Sequence, residues 1–180
     1  MQEAIGYSLW FVPPRPFLGD FRSHIQRYSS KYGVPYFEPH VTLAGGIGHI
    51  LSLDTIIKET EALTQELGTL KPLELAFGPA ASGEEFTRCV FFKIALTESL
   101  GRARELSYAH FPCDWYATPD AFVPHLSIVY GNLPFPTRAE TVRELNRSCV
   151  KGSFIPQEIS LWRTQGTPDQ WRHVESFLLP

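Results

Sequence analysis

Apolar residues along this chain follow two different periods, which predict a succession of strands and helices. Residues 5–12 are rich in β-branched and aromatic side chains and end at two prolines, as a strand would. Residues 18–32 instead place Phe21, Ile25 and Tyr28 at spacings of four and three, the stripe of an amphipathic helix. The chain therefore opens with a strand followed by a helix.

The remaining pattern repeats this order. It predicts helices over residues 53–67, 100–110 and 137–149, and strands over residues 40–45, 73–77, 88–96, 124–130, 154–163 and 171–179. The strand PHVTL (39–43) matches the strand PHLSI (124–128), and their histidines lie 125 − 40 = 85 residues apart. Such an internal duplication, with adjacent strands ending each half, favours a mostly antiparallel α+β protein over a doubly wound parallel sheet.

The two matching strands carry the candidate chemistry. Each contains a histidine, an aliphatic residue, a hydroxyl residue and a second aliphatic residue. Because successive side chains of a strand point to opposite faces, His40 shares a face with Thr42, and His125 shares a face with Ser127. The aliphatic residues can anchor each strand in the core while both polar pairs face a common cleft.

Two histidines and two hydroxyl groups suit the opening of a cyclic phosphodiester. One neutral imidazole takes a proton from water and one imidazolium gives a proton to the departing oxygen. Thr42 and Ser127 would donate hydrogen bonds to the non-bridging phosphate oxygens. A single strand histidine beside a threonine is more often structural, but its repetition in matching positions of a duplicated architecture argues against that interpretation. Two histidines fall short of the usual three ligands of a catalytic zinc site, and no G-x-S-x-G elbow marks a nucleophilic serine.

Composition and charge limit the classes of binding partner that we expect. The 180 residues are 43% hydrophobic and 19% charged, as in a globular domain, and the net charge is −3. Lys and Arg nowhere form a run of five, so we expect no long nucleic acid as partner. We expect a cytoplasmic protein with no membrane segment, since no basic leader or long apolar stretch is found. Its cysteines, Cys89, Cys113 and Cys149, contain no CxxC pair and are predicted to be free thiols.

The blocks YSLWFVP (7–13), FEPHVTL (37–43) and FVPHLSIVY (122–130) resemble the two-histidine phosphoesterase superfamily, in particular its fungal and plant cyclic phosphodiesterases. The resemblance covers essentially the whole chain. It implies one bilobal domain over residues 1–180, with two antiparallel sheets facing a central cleft and helices outside. It also implies a monomer that needs neither metal nor cofactor.

The activity implied by the resemblance is hydrolysis of ADP-ribose 1'',2''-cyclic phosphate to ADP-ribose 1''-phosphate, a step that follows tRNA splicing. Nucleoside 2',3'-cyclic phosphates would be opened to 2'-phosphates. His125 would be the base towards water and His40 the acid, and Tyr130 would line the pocket. Strict alternation turns Tyr130 away from His125, so this role requires the strand to end or bulge near Gly131.

Other roles stay open at this point. Trp10 either stacks on a sugar or base or belongs to the core. Arg88 and Lys93, placed on one predicted strand, either face a pyrophosphate or are solvated. Two other functions compete with the cyclic phosphodiesterase: an RNA-end-processing 2',5'-type phosphoesterase and a module that only binds a nucleotide or protein.

Overall fold

The computed structural model describes residues 6–48, 51–70, 72–111, 122–148 and 150–180. Twelve regular elements lie within these ranges: β1 Tyr7–Phe11, α1 Phe17–Tyr32, β2 Val41–Ile47, α2 Leu53–Leu67, β3 Leu75–Ser82, β4 Val90–Ile94, α3 Glu98–His110, β5 His125–Val129, α4 Phe135–Ser148, β6 Ser153–Phe154, β7 Glu158–Arg163 and β8 Arg172–Leu178. Two short 3-10 turns, Phe86–Arg88 and Pro168–Gln170, precede β4 and β8.

The strands form an antiparallel sheet in the order β6-β3-β4-β5-β2-β1-β7-β8. The predicted α+β class with antiparallel pairing is confirmed. Two sheets were expected, and the structure has one eight-stranded sheet. Its half-sheets are β8-β7-β1-β2 and β5-β4-β3-β6, which join edge to edge where Val41 of β2 pairs with Leu126 of β5. The two motif strands are therefore direct neighbours at the centre of the sheet.

The duplication is visible as two successive β-α-β-α units. The first runs β1-α1-β2-α2 and the second β4-α3-β5-α4. The later strands cross between the halves: β3, which follows the first unit, pairs with β4 of the second unit. After the second unit, β6 pairs with β3, and β7 then pairs with β1 of the first unit. Each half-sheet thus takes strands from both halves of the sequence.

Three sequence-based boundaries were wrong, and a proline and a register shift account for two of them. The strand predicted over residues 154–163 is split into β6 and β7, which lie in different half-sheets. Pro156, which has no N–H to donate to a ladder, lies in the break. β3 continues through Gly78 and Pro79, where a loop was predicted, and its register shifts there. Arg88 ends a 3-10 turn, and β4 begins only at Val90.

The helices bury their apolar stripes against one face of the sheet. In α1 the predicted Phe21, Ile25 and Tyr28 are all buried, and full burial of such side chains contributes about 1.5–3 kcal/mol each. Ser52 caps the N-terminus of α2, and its hydroxyl accepts a hydrogen bond from the Thr55 amide at 3.2 Å. The packing of these helices leaves the other face of the sheet open for the motif residues.

Within the described ranges, every helix is too short or too polar to cross a membrane. Cys89 is a buried free thiol, and burial raises its pKa. The predictions for Cys113 and Cys149 lie outside the described residues.

Candidate functional site

The pairing of β2 with β5 brings the two motifs together crosswise. Val41 lies opposite Leu126 in this antiparallel pair. One step along the register in each direction places His40 opposite Ser127 and Thr42 opposite His125. Residues directly opposite share a face of the sheet, with Cβ atoms about 5 Å apart. Each histidine therefore faces the hydroxyl residue of the other motif.

The two histidines lie on a diagonal of this four-residue arrangement. Diagonal neighbours of an antiparallel pair have Cβ atoms roughly 7 Å apart. The two histidines also interact electrostatically, since His125 contributes to lowering the pKa of His40. A tetrahedral phosphate fits between imidazoles at this spacing.

Both imidazoles are held in the same orientation by backbone carbonyl groups. The Nδ1 atom of His40 lies 2.6 Å from the Glu38 carbonyl oxygen, and that of His125 lies 2.7 Å from the Val123 carbonyl oxygen. A carbonyl oxygen only accepts, so each Nδ1 carries the hydrogen and each Nε2 keeps its lone pair. A proline follows each carbonyl residue and favours an extended backbone there. The repeated x-Pro-His sequence thus fixes the tautomer locally.

Burial sets the protonation of both histidines. His40 is 6% exposed; its burial lowers its pKa to about 3, against the hydrogen bond to the Glu38 carbonyl and with a small contribution from His125. His125 is half-buried, and burial lowers its pKa as well, opposed by the Val123 carbonyl. Both imidazoles are therefore neutral at pH 7 in the free protein.

A row of aromatic rings covers the outer side of His40. The Trp10 indole stacks on the imidazole with ring centroids 3.6 Å apart and planes inclined by 7°. Trp162 stacks on the far side of Trp10 at 4.5 Å, and His173 meets Trp162 edge-on at 5.6 Å. Trp10 is only 1% exposed, so it supports His40 and is closed to a sugar or base.

Tyr130 reaches this face because of a bulge. Between Ser127 and Val129, β5 advances by two residues while β4 advances by one, which reverses the alternation that follows. The Tyr130 hydroxyl consequently lies 3.4 Å from His40 Nε2. Its ring stacks on Phe37 at 3.6 Å, a neighbour that the strand pattern alone did not point to.

The two hydroxyl residues differ in their present bonding. Ser127 is buried and donates to the Thr87 carbonyl oxygen at 2.7 Å. Thr42 is half-buried and makes no hydrogen bond through its side chain to the rest of the described chain. Thr42 can donate a hydrogen bond to an anion directly. Ser127 must first break its hydrogen bond to the Thr87 carbonyl oxygen.

Two cations flank His125. Lys93 lies directly opposite it on β4 and is exposed. The Arg88 guanidinium lies 5.8 Å from the centre of the Phe91 ring, which in turn contacts the His125 ring edge-on. Arg88 is held by Glu85 through an ion pair. The strand pattern alone left open whether these two cations face a ligand or solvent.

Comparison with known proteins identifies the family of this chain. The profile of the 2'-5' RNA ligase superfamily matches residues 13–168. A cyclic phosphodiesterase of Arabidopsis thaliana is 29% identical over 127 residues, which are 71% of this chain and 66% of that protein, slightly less than two thirds of its length. A Staphylococcus epidermidis protein named as a phosphoesterase is 26% identical over 173 residues, covering 96% of this chain and 98% of that protein.

Solved structures share the fold. A Thermus thermophilus protein has a TM-score of 0.66 at 16% identity, with 97% of this chain and 98% of that chain covered. Escherichia coli LigT complexed with 3'-AMP has a TM-score of 0.60 at 15% identity, with 99% of both chains covered. The chain therefore belongs to the 2'-5' RNA ligase superfamily, the two-histidine phosphoesterases, and its chemistry is the hydrolysis of phosphoesters.

Proposed function

We propose that this protein hydrolyses cyclic phosphodiesters of small nucleotides, with His40 and His125 as the catalytic acid–base pair. Its substrates are ADP-ribose 1'',2''-cyclic phosphate, opened to ADP-ribose 1''-phosphate, and nucleoside 2',3'-cyclic phosphates, opened to 2'-phosphates. The observation that carries the proposal is the crosswise arrangement of the motifs, with both Nε2 atoms free of backbone partners.

The reaction adds one water molecule across one P–O bond. The water oxygen attacks phosphorus while His125 Nε2 takes its proton. The bond to the departing ring oxygen breaks on the opposite side, and protonated His40 gives that oxygen its proton. The two imidazoles end with exchanged protonation states, and proton exchange with solvent resets them. Each positioned transfer contributes about 10²–10⁴-fold.

Exposure supports the assignment of these roles. His125 is the more exposed imidazole, so bulk water reaches it more readily. His40 is desolvated and has a pKa of about 3 in the free protein. It is therefore neutral in the free protein, and its role as the acid requires a bound substrate that raises this pKa. The anionic phosphate raises that pKa on binding, because an opposite charge favours the charged form.

Thr42 and Ser127 would bind the non-bridging oxygens, and Tyr130 would bind an oxygen next to His40. Their hydroxyl groups stabilise the charge that accumulates on the phosphate as water adds. None of these steps requires a metal. A chelator should therefore leave the rate unchanged, and a loss of activity that added metal restores would contradict this mechanism.

The substrate class is supported by charge and by the neighbours. A net charge of −3 gives little attraction for a long polyanion. Escherichia coli LigT, whose fold is shared, has been crystallised with the nucleotides 3'-AMP and NADP+. Both observations favour small nucleotides over long RNA as substrates.

The test compares His40→Asn and His125→Asn with the wild type on adenosine 2',3'-cyclic phosphate, with products identified by phosphorus NMR. Asparagine retains a donor near the Nδ1 position and loses the titrating nitrogen. We expect each variant to lose at least ~10²-fold in kcat while remaining folded. Wild-type turnover by either variant would refute the paired mechanism.

The superfamily profile also favours a second candidate, a phosphoesterase that acts on RNA ends. Oligonucleotides with 2',3'-cyclic ends, compared with ADP-ribose cyclic phosphate at equal concentration, separate the two. A higher kcat/KM for the oligonucleotides would transfer the assignment to RNA ends.

A further inference from the structure

Cations lie on one side of the two motif strands and aromatic rings lie on the other. The rings of Trp10 and Trp162 lie on the β1-β7 side of the central strands. The cations Lys93 and Arg88 lie on the β4 side, next to His125. Trp10 is buried against His40 and closed to a substrate, whereas the exposed Lys93 offers a charge to the parts of a substrate beyond its cyclic phosphate.

Lys93 is well placed to meet an anion. As the direct partner of His125 in the β4–β5 ladder, it shares the face of the catalytic residues, with Cβ atoms about 5 Å apart. Its ammonium group is exposed and forms no ion pair within the part of the chain that the structure describes. On its other flank lies Gly78 of β3, where a Cβ atom would come within 3.3 Å of the Lys93 Cβ. The glycine leaves the lysine stem uncovered.

Arg88 adds a second, fixed cation. Two hydrogen bonds to Glu85 hold its guanidinium, and its side chain is 24% exposed. Its charge favours the neutral imidazole of His125, while the charge of its partner Glu85 acts in the opposite direction. The turn that carries Arg88 is tied to the site, since Ser127 donates to the Thr87 carbonyl oxygen.

We propose that Lys93 and Arg88 form a second anion subsite beside His125, which binds a phosphate of the substrate other than the cyclic one. The inference rests on the proposed function, because it assumes that the cyclic phosphate lies between His40 and His125. It narrows the preferred substrates to cyclic nucleotides that carry a 5'-phosphate or pyrophosphate, as ADP-ribose 1'',2''-cyclic phosphate does.

The test uses two substrates that differ only in the second phosphate: adenosine 2',3'-cyclic phosphate and the same compound with a 5'-phosphate. We expect the wild type to favour the 5'-phosphorylated compound by roughly tenfold or more in kcat/KM, the effect of a hydrogen bond to a charged group. The preference should fall as salt is added, because exposed charges are screened.

Two variants then locate the preference. Lys93→Gln and Arg88→Gln should each reduce the ratio of the two kcat/KM values at least about threefold. Lys58→Gln removes the same charge from an exposed position on α2 and should leave the ratio unchanged. A structural disturbance would lower both rates together, so the ratio isolates binding of the second phosphate. If Arg88→Gln fails to fold, Lys93→Gln decides the question.

The outcomes distinguish the two proposals. If the wild type opens neither compound, the proposed function fails. If it opens both with equal kcat/KM, or if the preference survives both substitutions, the second subsite is refuted while the cyclic phosphodiesterase stands.

Discussion

Replacing His40 with asparagine should remove an acid-sensitive component of stability. The pKa of His40 is about 3 in the folded protein against 6.5 for an ordinary histidine. Below pH 6.5 the unfolded chain therefore binds a proton that the folded chain does not. The contribution of His40 to stability is fully present above pH 6.5 and is lost as the pH falls towards 3.

These two pKa values determine how much stability the wild type loses at acid pH. Since each pH step below 6.5 costs about 1.4 kcal/mol until the folded-state pKa is reached, the loss between pH 7.5 and pH 5 is about 2 kcal/mol. Asparagine does not titrate, so His40→Asn should lack this loss. Other groups whose pKa is lowered, such as His24 and His125, titrate in both proteins and cancel in the difference.

Urea unfolding followed by tryptophan fluorescence measures the effect, because the chain contains four tryptophans. The free energy of unfolding is obtained for both proteins at several pH values between 5 and 7.5. As the pH falls from 7.5 to 5, the free energy of unfolding of the wild type should decrease by about 2 kcal/mol relative to that of His40→Asn. If the free energies of unfolding of the two proteins change equally with pH, His40 does not have the lowered pKa that its burial predicts.

His110 provides a control of opposite sign. Burial opposes its protonation, but Glu59 and Glu66 bind its two ring nitrogens at 2.8 and 3.0 Å and raise its pKa. A raised pKa contributes stability that is present below pH 6.5 and is lost as the pH rises through the folded-state value. The variant His110→Asn should therefore lose stability relative to the wild type mainly at acid pH.

Three further predictions concern packing and geometry. Trp10→Leu removes the ring that fixes the His40 imidazole and should lower kcat roughly tenfold or more, with a smaller change in KM; steady-state kinetics on a cyclic nucleotide checks this, and an unchanged kcat would contradict the positioning role. Tyr130→Phe removes one hydroxyl near His40 Nε2 and should lower kcat/KM about fivefold; equal values for both proteins would place Tyr130 outside the reaction. Gly6→Ala should destabilise by at least ~2 kcal/mol in urea unfolding, since its φ is +80° and the new Cβ would lie 2.1 Å from a carbonyl oxygen; Gly19→Ala, whose Cβ meets nothing within 4 Å in α1, should instead be neutral or stabilising.

The sequence alone determined features that depend on local periodicity. The stripe of Phe21, Ile25 and Tyr28 forms the buried face of α1 as predicted. The alternation within each motif strand placed His40 with Thr42 and His125 with Ser127, because the side-chain period of a strand is a local property of the backbone. The antiparallel α+β class was also predictable, since the repeated order of elements allows few other arrangements.

Only the tertiary structure decided how the two motifs meet. The pairing of Val41 with Leu126 joins strands that are far apart in the sequence, and such a register is fixed by core packing rather than by either strand's own pattern. That register sets His40 opposite Ser127. Likewise, only the β4–β5 ladder places Lys93 opposite His125.

Burial and the bulge were equally invisible in the sequence. The low pKa of His40 results from the rings and strands packed around it, and the same imidazole at the surface would titrate near neutrality. Tyr130 reaches His40 only because β5 carries one extra residue against β4. The sequence thus determined which residues share a strand face, while long-range pairing and desolvation decided which of them act on one another.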